Sequence, residues 1–234
     1  MTQFHNHRFP GEGADYRDAR DKLLELEIDL RTRIEAVAAL RRGLPRGGAL
    51  KEDYVFEEGA VDLSDRQTIK QTRFSELFMP GKNSLIIYSF MYSADDDTPC
   101  PMCTSLLDSL NGTAPHAGDR VNLAVVGKAT IRKIRQWAQA RYWTNLRLLS
   151  SNDNTYNKDY HAEDDDGNQW PAINVFRKES DGIHHFYNAE LFYAPTAEGQ
   201  HPRHADLIWP LWNLFDLTPE GRGTNWFPKY HYDP

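Results

Sequence analysis

The only two cysteines of this 234-residue chain stand three residues apart, in the stretch Thr98-Pro99-Cys100-Pro101-Met102-Cys103. An apolar run, Leu85 to Tyr92, comes before them, and a helix-like segment, Thr104 to Leu110, follows. A buried strand, a turn holding CxxC and then a helix is the context in which this spacing carries redox chemistry rather than arising by chance. It also constrains the fold, because a strand must end and a helix begin around the sulfurs.

Cys100 is expected at or just before the helix N-terminus. Pro101 suits the first helical position, where its missing N–H would have had no partner anyway. The unpaired amides and the helix dipole favour a negative charge on the Cys100 sulfur, so its pKa should fall and its thiolate fraction rise. Cys103 lies one turn further along the same face, within reach to resolve a mixed disulfide. Asp95, Asp96 and Asp97 oppose this, since their charge pushes the sulfur the other way. Two blander readings stand beside the redox one. The cysteines can be inert core residues, or half of a zinc site completed by histidines among His116, His161, His184 and His185. The second needs three or four ligands, and no histidine has a partner spacing to supply them, so no metal is expected.

Charged residues make up 26% and hydrophobics 40%, ordinary for a globular protein. The net charge of −7 argues against a nucleic-acid partner, which requires a basic surface. No apolar run approaches the roughly 20 residues of a membrane span, and the first residues hold no apolar signal core. The expectation is therefore a cytoplasmic protein with no membrane partner and no cofactor. In that reducing compartment a lone CxxC is more often catalytic than structural.

Along the chain, Leu23, Leu26, Leu30, Ile34, Val37, Leu40 and Leu44 recur in steps of three and four, one apolar stripe on a long helix starting at Asp15 as N-cap. Such an arm spans about 42 Å and either straps its own domain or forms a homodimer with a second copy. Tyr54 to Phe56 and Val61 to Leu63 read as short strands, and Phe74 to Phe78 as a helical turn. The run from Leu85 to Tyr92 reads as a strand buried on both faces. Val121 to Val126 and Leu146 to Leu149 are further strands, with a helix through Ile131, Ile134, Trp137 and Ala138 between them. This alternation gives parallel crossovers. Residues 150–169 are a polar, acidic insertion with one turn of helix around Tyr156 to His161. Asp164-Asp165-Asp166-Gly167 lacks the alternation and final glutamate of a calcium loop, so it reads as a solvated turn. Pro171 opens a hairpin turning at Asp181-Gly182. Leu207 to Phe215 is a short helix within an aromatic C-terminal region, whose rings either line a pocket near the thiols or serve as core anchors.

These residues resemble the thioredoxin fold: strand, CxxC at a helix start, β-α-β, then a proline opening an antiparallel hairpin. The resemblance implies an α/β, thioredoxin-like fold, a central mixed sheet flanked by helices, with a long N-terminal helix and an aromatic-rich C-terminal extension. The corresponding division is 1–50 helical arm, 51–200 thioredoxin-like domain and 201–234 extension. Members of the superfamily carry a cis-proline facing the CxxC, and Pro171 stands at the matching position, with the Trp170 backbone before it left to pair with an incoming peptide. The proline directly after the first cysteine is similar to glutaredoxin. Nearly the whole chain resembles a bacterial family of thioredoxin-like proteins described as predicted dithiol–disulfide oxidoreductases. The resemblance rests on Phe9-Pro10-Gly11-Glu12, Asp53-Tyr54-Val55-Phe56, Pro99 to Leu107, Leu148-Leu149-Ser150-Ser151, Ile208-Trp209-Pro210-Leu211-Trp212 and Thr218-Pro219-Glu220-Gly221-Arg222-Gly223.

That likeness implies a thiol–disulfide oxidoreductase with Cys100 as nucleophile and Cys103 as resolving thiol. Trp170 and Pro171, with Thr98, Pro99 and Pro101, would position a protein or small-molecule disulfide or thiol substrate. Two departures stand out. Thioredoxin's buried acid has no counterpart in the Leu85–Tyr92 strand, leaving His116 or a water as its substitute. The layout after the CxxC helix is peroxiredoxin-like, yet the Pro-x-x-x-Thr/Ser-x-x-Cys pattern fails, since Ser93 and Asp97 fall at its first two positions. A thiol peroxidase and a non-catalytic, dimeric thioredoxin-like scaffold are the alternatives.

Overall fold

The computed structural model describes residues 4–198 and 208–232. The chain divides into two compact units, residues 1–45 and 46–234.

The first unit is dominated by helix α1, Ala14–Arg42. Its N-cap is Gly13 and not Asp15, which lies in the first turn where its charge favours the positive end of the dipole. Arg17 joins that turn to its approach through Glu12 (3.5 Å) and Asp21 (3.1 Å). The helix ends where Gly43 donates its N–H to Ala39 O at 3.0 Å. The leucine stripe is real, but it is exposed: Leu26 keeps 67% of its surface and Leu40 74%.

The second unit is built on one seven-stranded mixed sheet. Its strands are β1 (Val55–Gly59), β2 (Ile69–Arg73), β3 (Ser84–Phe90), β4 (Asn122–Gly127), β5 (Leu148–Ser150), β6 (Ala172–Glu179) and β7 (Gly182–Asn188), in the order β2-β1-β5-β4-β3-β6-β7. β3, β4 and β5 run parallel, joined by helices α2 (Pro101–Arg120) and α3 (Ile131–Ala140). β6 returns antiparallel against β3, and β7 pairs antiparallel with β6. This is the thioredoxin-like class expected from the sequence.

Alternation along β3 divides the core. Tyr88 and Phe90 join the cluster that holds Cys103, Leu106 and Ile134, while Leu85 and Ile87 join Phe56, Phe74 and Tyr156 on the other face. A strand buried on both sides reads as an unbroken apolar run, which is why β3 stands out in the sequence.

Other expectations need correction. Val61 to Leu63 is not a strand. Arg135 from α3 donates to the carbonyls of Ala60, Asp62 (2.7 Å) and Asp65 (2.8 Å), so those acceptors are taken by a side chain instead of a ladder. β1 pairs antiparallel with β5 on one side and on the other with β2, whose polar sequence Ile69-Lys70-Gln71-Thr72-Arg73 gives little apolar signal. Phe74–Leu77 is a 3₁₀ turn, as expected of a helical turn there. The helix that follows the cysteines extends to Arg120 and contains Pro115. The hairpin turns at Asp181-Gly182, where Gly182 has φ +138°, a conformation side chains rarely adopt. Of the predicted C-terminal helix, Leu207 lies outside the described residues. Helix α5, Pro210–Asp216, begins with its proline in the first turn. The insertion contains one short helix, α4 (Tyr156–Asp159). Among the described residues no helix is long and apolar enough to cross a membrane.

Candidate active site

β3 ends at Phe90, and the chain loops through the acidic stretch 93–98 before entering α2 with Cys100 as N-cap and Pro101 at the first helical position. The loop is closed by the Cys100 N–H, which donates to Met91 O at 3.0 Å. Thr104 then ties the first turn back, donating from both its amide and its hydroxyl to Cys100 O, each at 3.0 Å. Both cysteines are free thiols, Cys100 half-buried and Cys103 buried.

The two sulfurs are in very different states. Hydrogen bonding from Cys103 favours the Cys100 anion, and with the backbone amides of Cys103 and Met102 it outweighs burial. The Cys100 pKa is lowered from 9.0 to about 6. Cys103 moves the opposite way, because its hydrogen bond to Cys100 holds its proton and its burial disfavours a charge. The Cys103 thiol, helped by the two amides at the helix start, thus lowers the Cys100 pKa in spite of the neighbouring Asp95 to Asp97. Lys133 of α3 reaches back to the acidic loop, donating to Ala94 O (2.9 Å) and Asp96 O (3.0 Å), and so sets a cation beside it.

Beneath Cys103 lies Tyr88, buried on β3 in the same core cluster; its hydroxyl favours the Cys103 anion, while the thiol in turn raises the tyrosine's own pKa. It occupies the polar position under the thiols for which the sequence offered no acid. His116 does not fill that role. It is 13 residues beyond Cys103 on the same helix, about 20 Å away along the axis. A tyrosine inside an apolar run looks like one more core residue, so the sequence carried no signal for it.

Sheet register places Pro171. Ser89 pairs with Ala172, so Pro171 follows opposite Phe90, at the end of the sheet where the cysteines sit. The insertion is held to that end by a polar chain. Ser150 Oγ donates to Ala129 O (2.7 Å), Ser151 Oγ to Asn157 Oδ1 (2.8 Å), and Asn157 Nδ2 to Gln169 Oε1 (3.0 Å). Trp170 is half exposed. Its N–H already donates to Ala162 O at 2.9 Å and its indole to Asp164 at 3.1 Å. Of the Trp170 backbone, expected to be left to pair with an incoming peptide, the N–H is therefore already engaged within the chain. Thr98 is exposed and Pro99 buried.

The aromatic C-terminal region splits in two. Trp209 and Trp212 are core residues, 2% and 1% exposed. Tyr230 reaches the dithiol turn, donating its hydroxyl to Pro99 O while its own carbonyl accepts from Arg141 Nη1 at 2.8 Å.

Among the described residues, one cluster has the geometry to hold a metal: Glu179, Asp181 and His184 at the far end of the β6–β7 hairpin. Arg46 already lies against both carboxylates, 2.9 Å from Glu179 and 2.6 Å from Asp181, so a cation is in place. Neither cysteine takes part.

Solved structures of similar arrangement include a 2-Cys peroxiredoxin from Plasmodium vivax in its reduced form, at 18% identity over 70% of this chain and 96% of that one, with a TM-score of 0.45. AhpC from Enterococcus faecalis matches at 13% identity over 76% and 98%, with a TM-score of 0.47. The exposed lipoprotein thioredoxin Etrx1 of Streptococcus pneumoniae matches at 17% over 66% and 98%, with a TM-score of 0.40. No curated protein matches the chain. A family model matches residues 6–233, nearly the whole length that contains this dithiol turn, and the chain therefore belongs to the family described as bacterial protein of unknown function, DUF899.

Proposed function

We propose that the protein is a thiol–disulfide oxidoreductase acting through Cys100 and Cys103. The observation that carries this reading is the division of labour between the sulfurs: a half-buried Cys100 with its pKa lowered to about 6, one helical turn from a buried thiol that keeps its proton.

The Cys100 thiolate attacks one sulfur of a substrate disulfide. A Cys100–substrate bond forms, the substrate S–S bond breaks, and one substrate thiolate leaves. Cys103 then loses its proton and attacks Cys100 Sγ. The enzyme disulfide forms, the second substrate thiolate departs, and two electrons have passed from the dithiol to the substrate. Run backwards, the same steps oxidise a substrate dithiol. Tyr88 supports the second step, because its hydroxyl favours the anion on the sulfur that must ionise in a buried place. The Trp170 carbonyl and the Pro171 turn are the groups that would align an extended protein substrate across Cys100.

The test is trapping. Cys103→Ser should hold a mixed disulfide with the substrate, which a thiol reductant releases, and Cys100→Ser should trap nothing. If neither variant traps a partner and the wild-type dithiol is oxidised by hydrogen peroxide far faster than a free thiol, the peroxidase reading replaces this one.

A further inference from the structure

We infer that α1 is a self-association element, and that two copies of this chain pair through it as a parallel, in-register two-helix coil. The inference is independent of the redox chemistry.

Tyr16, Leu23, Leu30 and Val37 recur every seven residues, and Ala19, Leu26, Arg33 and Leu40 follow each of them by three. This is the alternating three–four spacing that keeps one seam of a helix facing a partner helix. All but one of these eight residues are apolar, and the seam is open, with Leu26, Leu30 and Leu40 more than half exposed. A 29-residue helix with such a face gains most of its stability by burying it.

The charges beside the seam select the partner and its direction. Asp15 and Lys22 lie on one flank and Arg20 and Glu27 on the other. In a parallel, in-register pair each flanking residue meets the one five positions further along the other helix. Asp15 then meets Arg20 and Lys22 meets Glu27, each twice by symmetry. Next come Asp29 against Ile34 and Ala36 against Arg41, so no like charges meet. The antiparallel register that aligns the whole seam sets Glu27 against Glu27 and Asp29 against Asp29, and a shift of one heptad sets Arg20 against Arg41. Arg33 is the one polar residue in the seam. Asp29 of its own helix holds it at 2.7 Å, so it enters already neutralised. A single polar layer of this kind fixes register at some cost in stability.

Sedimentation equilibrium of the full chain should give twice the 27.0 kDa of one protomer. Leu26→Asp combined with Leu30→Asp should give monomers with unchanged Cys100 alkylation. Glu27→Lys alone should weaken the dimer about fivefold at low salt, and Lys22→Glu added to it should restore it. The rescue protects the test against a simple loss of helix. In a Cys100→Ser, Cys103→Ser background, Leu26→Cys should cross-link to itself on oxidation. A wild-type protein that stays monomeric overturns the proposal, whether the stripe packs on its own chain or stays bare. So does a dimer indifferent to the leucine changes. A dimer that never cross-links through position 26 overturns the parallel arrangement.

Discussion

Tyr230 and Pro99, 131 residues apart in sequence, are joined by a hydrogen bond from the tyrosine hydroxyl to the proline carbonyl, one residue before Cys100. The C-terminal segment thereby braces the turn that presents Cys100. Tyr230→Phe removes one hydrogen bond and should cost about 1 kcal/mol of stability. Amide exchange at Cys100, whose N–H closes the same turn onto Met91, should accelerate while exchange in β4 stays slow. Unchanged exchange at Cys100 would show that the turn holds without its brace.

Cys100 should alkylate with a midpoint near pH 6, leaving about nine-tenths of it as thiolate at pH 7, while Cys103 stays inert. The folded value lies below the ordinary 9.0. The stabilisation this gives the reduced protein is complete above the unfolded value and lost as pH falls through about 6. A stabilised dithiol makes the disulfide more oxidising. The pair's potential at pH 7 is therefore expected between about −270 mV and about −120 mV, read by equilibration in glutathione buffers. A midpoint near 9 would remove the basis for assigning Cys100 as the nucleophile.

Tyr88→Phe should leave the first thiol release by Cys100 unchanged and slow the second, in which Cys103 must ionise, by about tenfold, the worth of a hydrogen bond to a buried charge. Single-turnover measurement of the two released thiols separates the steps. Equal slowing of both would mark Tyr88 as a core prop only.

Glu58 makes stability depend on acid. Burial raises its pKa, but hydrogen bonds from Arg147, at 2.9 Å to each carboxylate oxygen, and from Thr72 at 2.7 Å outweigh that and hold it below 4.5. A lowered folded value contributes stability that is present above pH 4.5 and lost as pH falls through the folded value. Glu58→Gln should flatten this acid limb of the denaturation curve and cost about 2 kcal/mol at neutral pH, since Arg147 would keep its charge without a carboxylate. An acid limb unchanged in the variant would place the titration elsewhere.

Sequence alone determined the central strand, the helix start with its sulfurs and the hairpin turn. In these places one residue type leaves little choice: an unbroken apolar run, a proline after Cys100, a glycine at positive φ. It also gave the stripe on α1, whose period needs no partner to be visible. Tertiary structure alone decided that residues 69–73 pair with β1, because their mostly polar side chains carry no apolar strand signal. Only the fold could bring Tyr88 beneath Cys103 and Tyr230 onto Pro99, and only it could commit the Trp170 amide to Ala162. Those groups act through contacts that the chain makes only once it is folded. A tyrosine or an amide looks the same in sequence whether it supports a core or touches a sulfur.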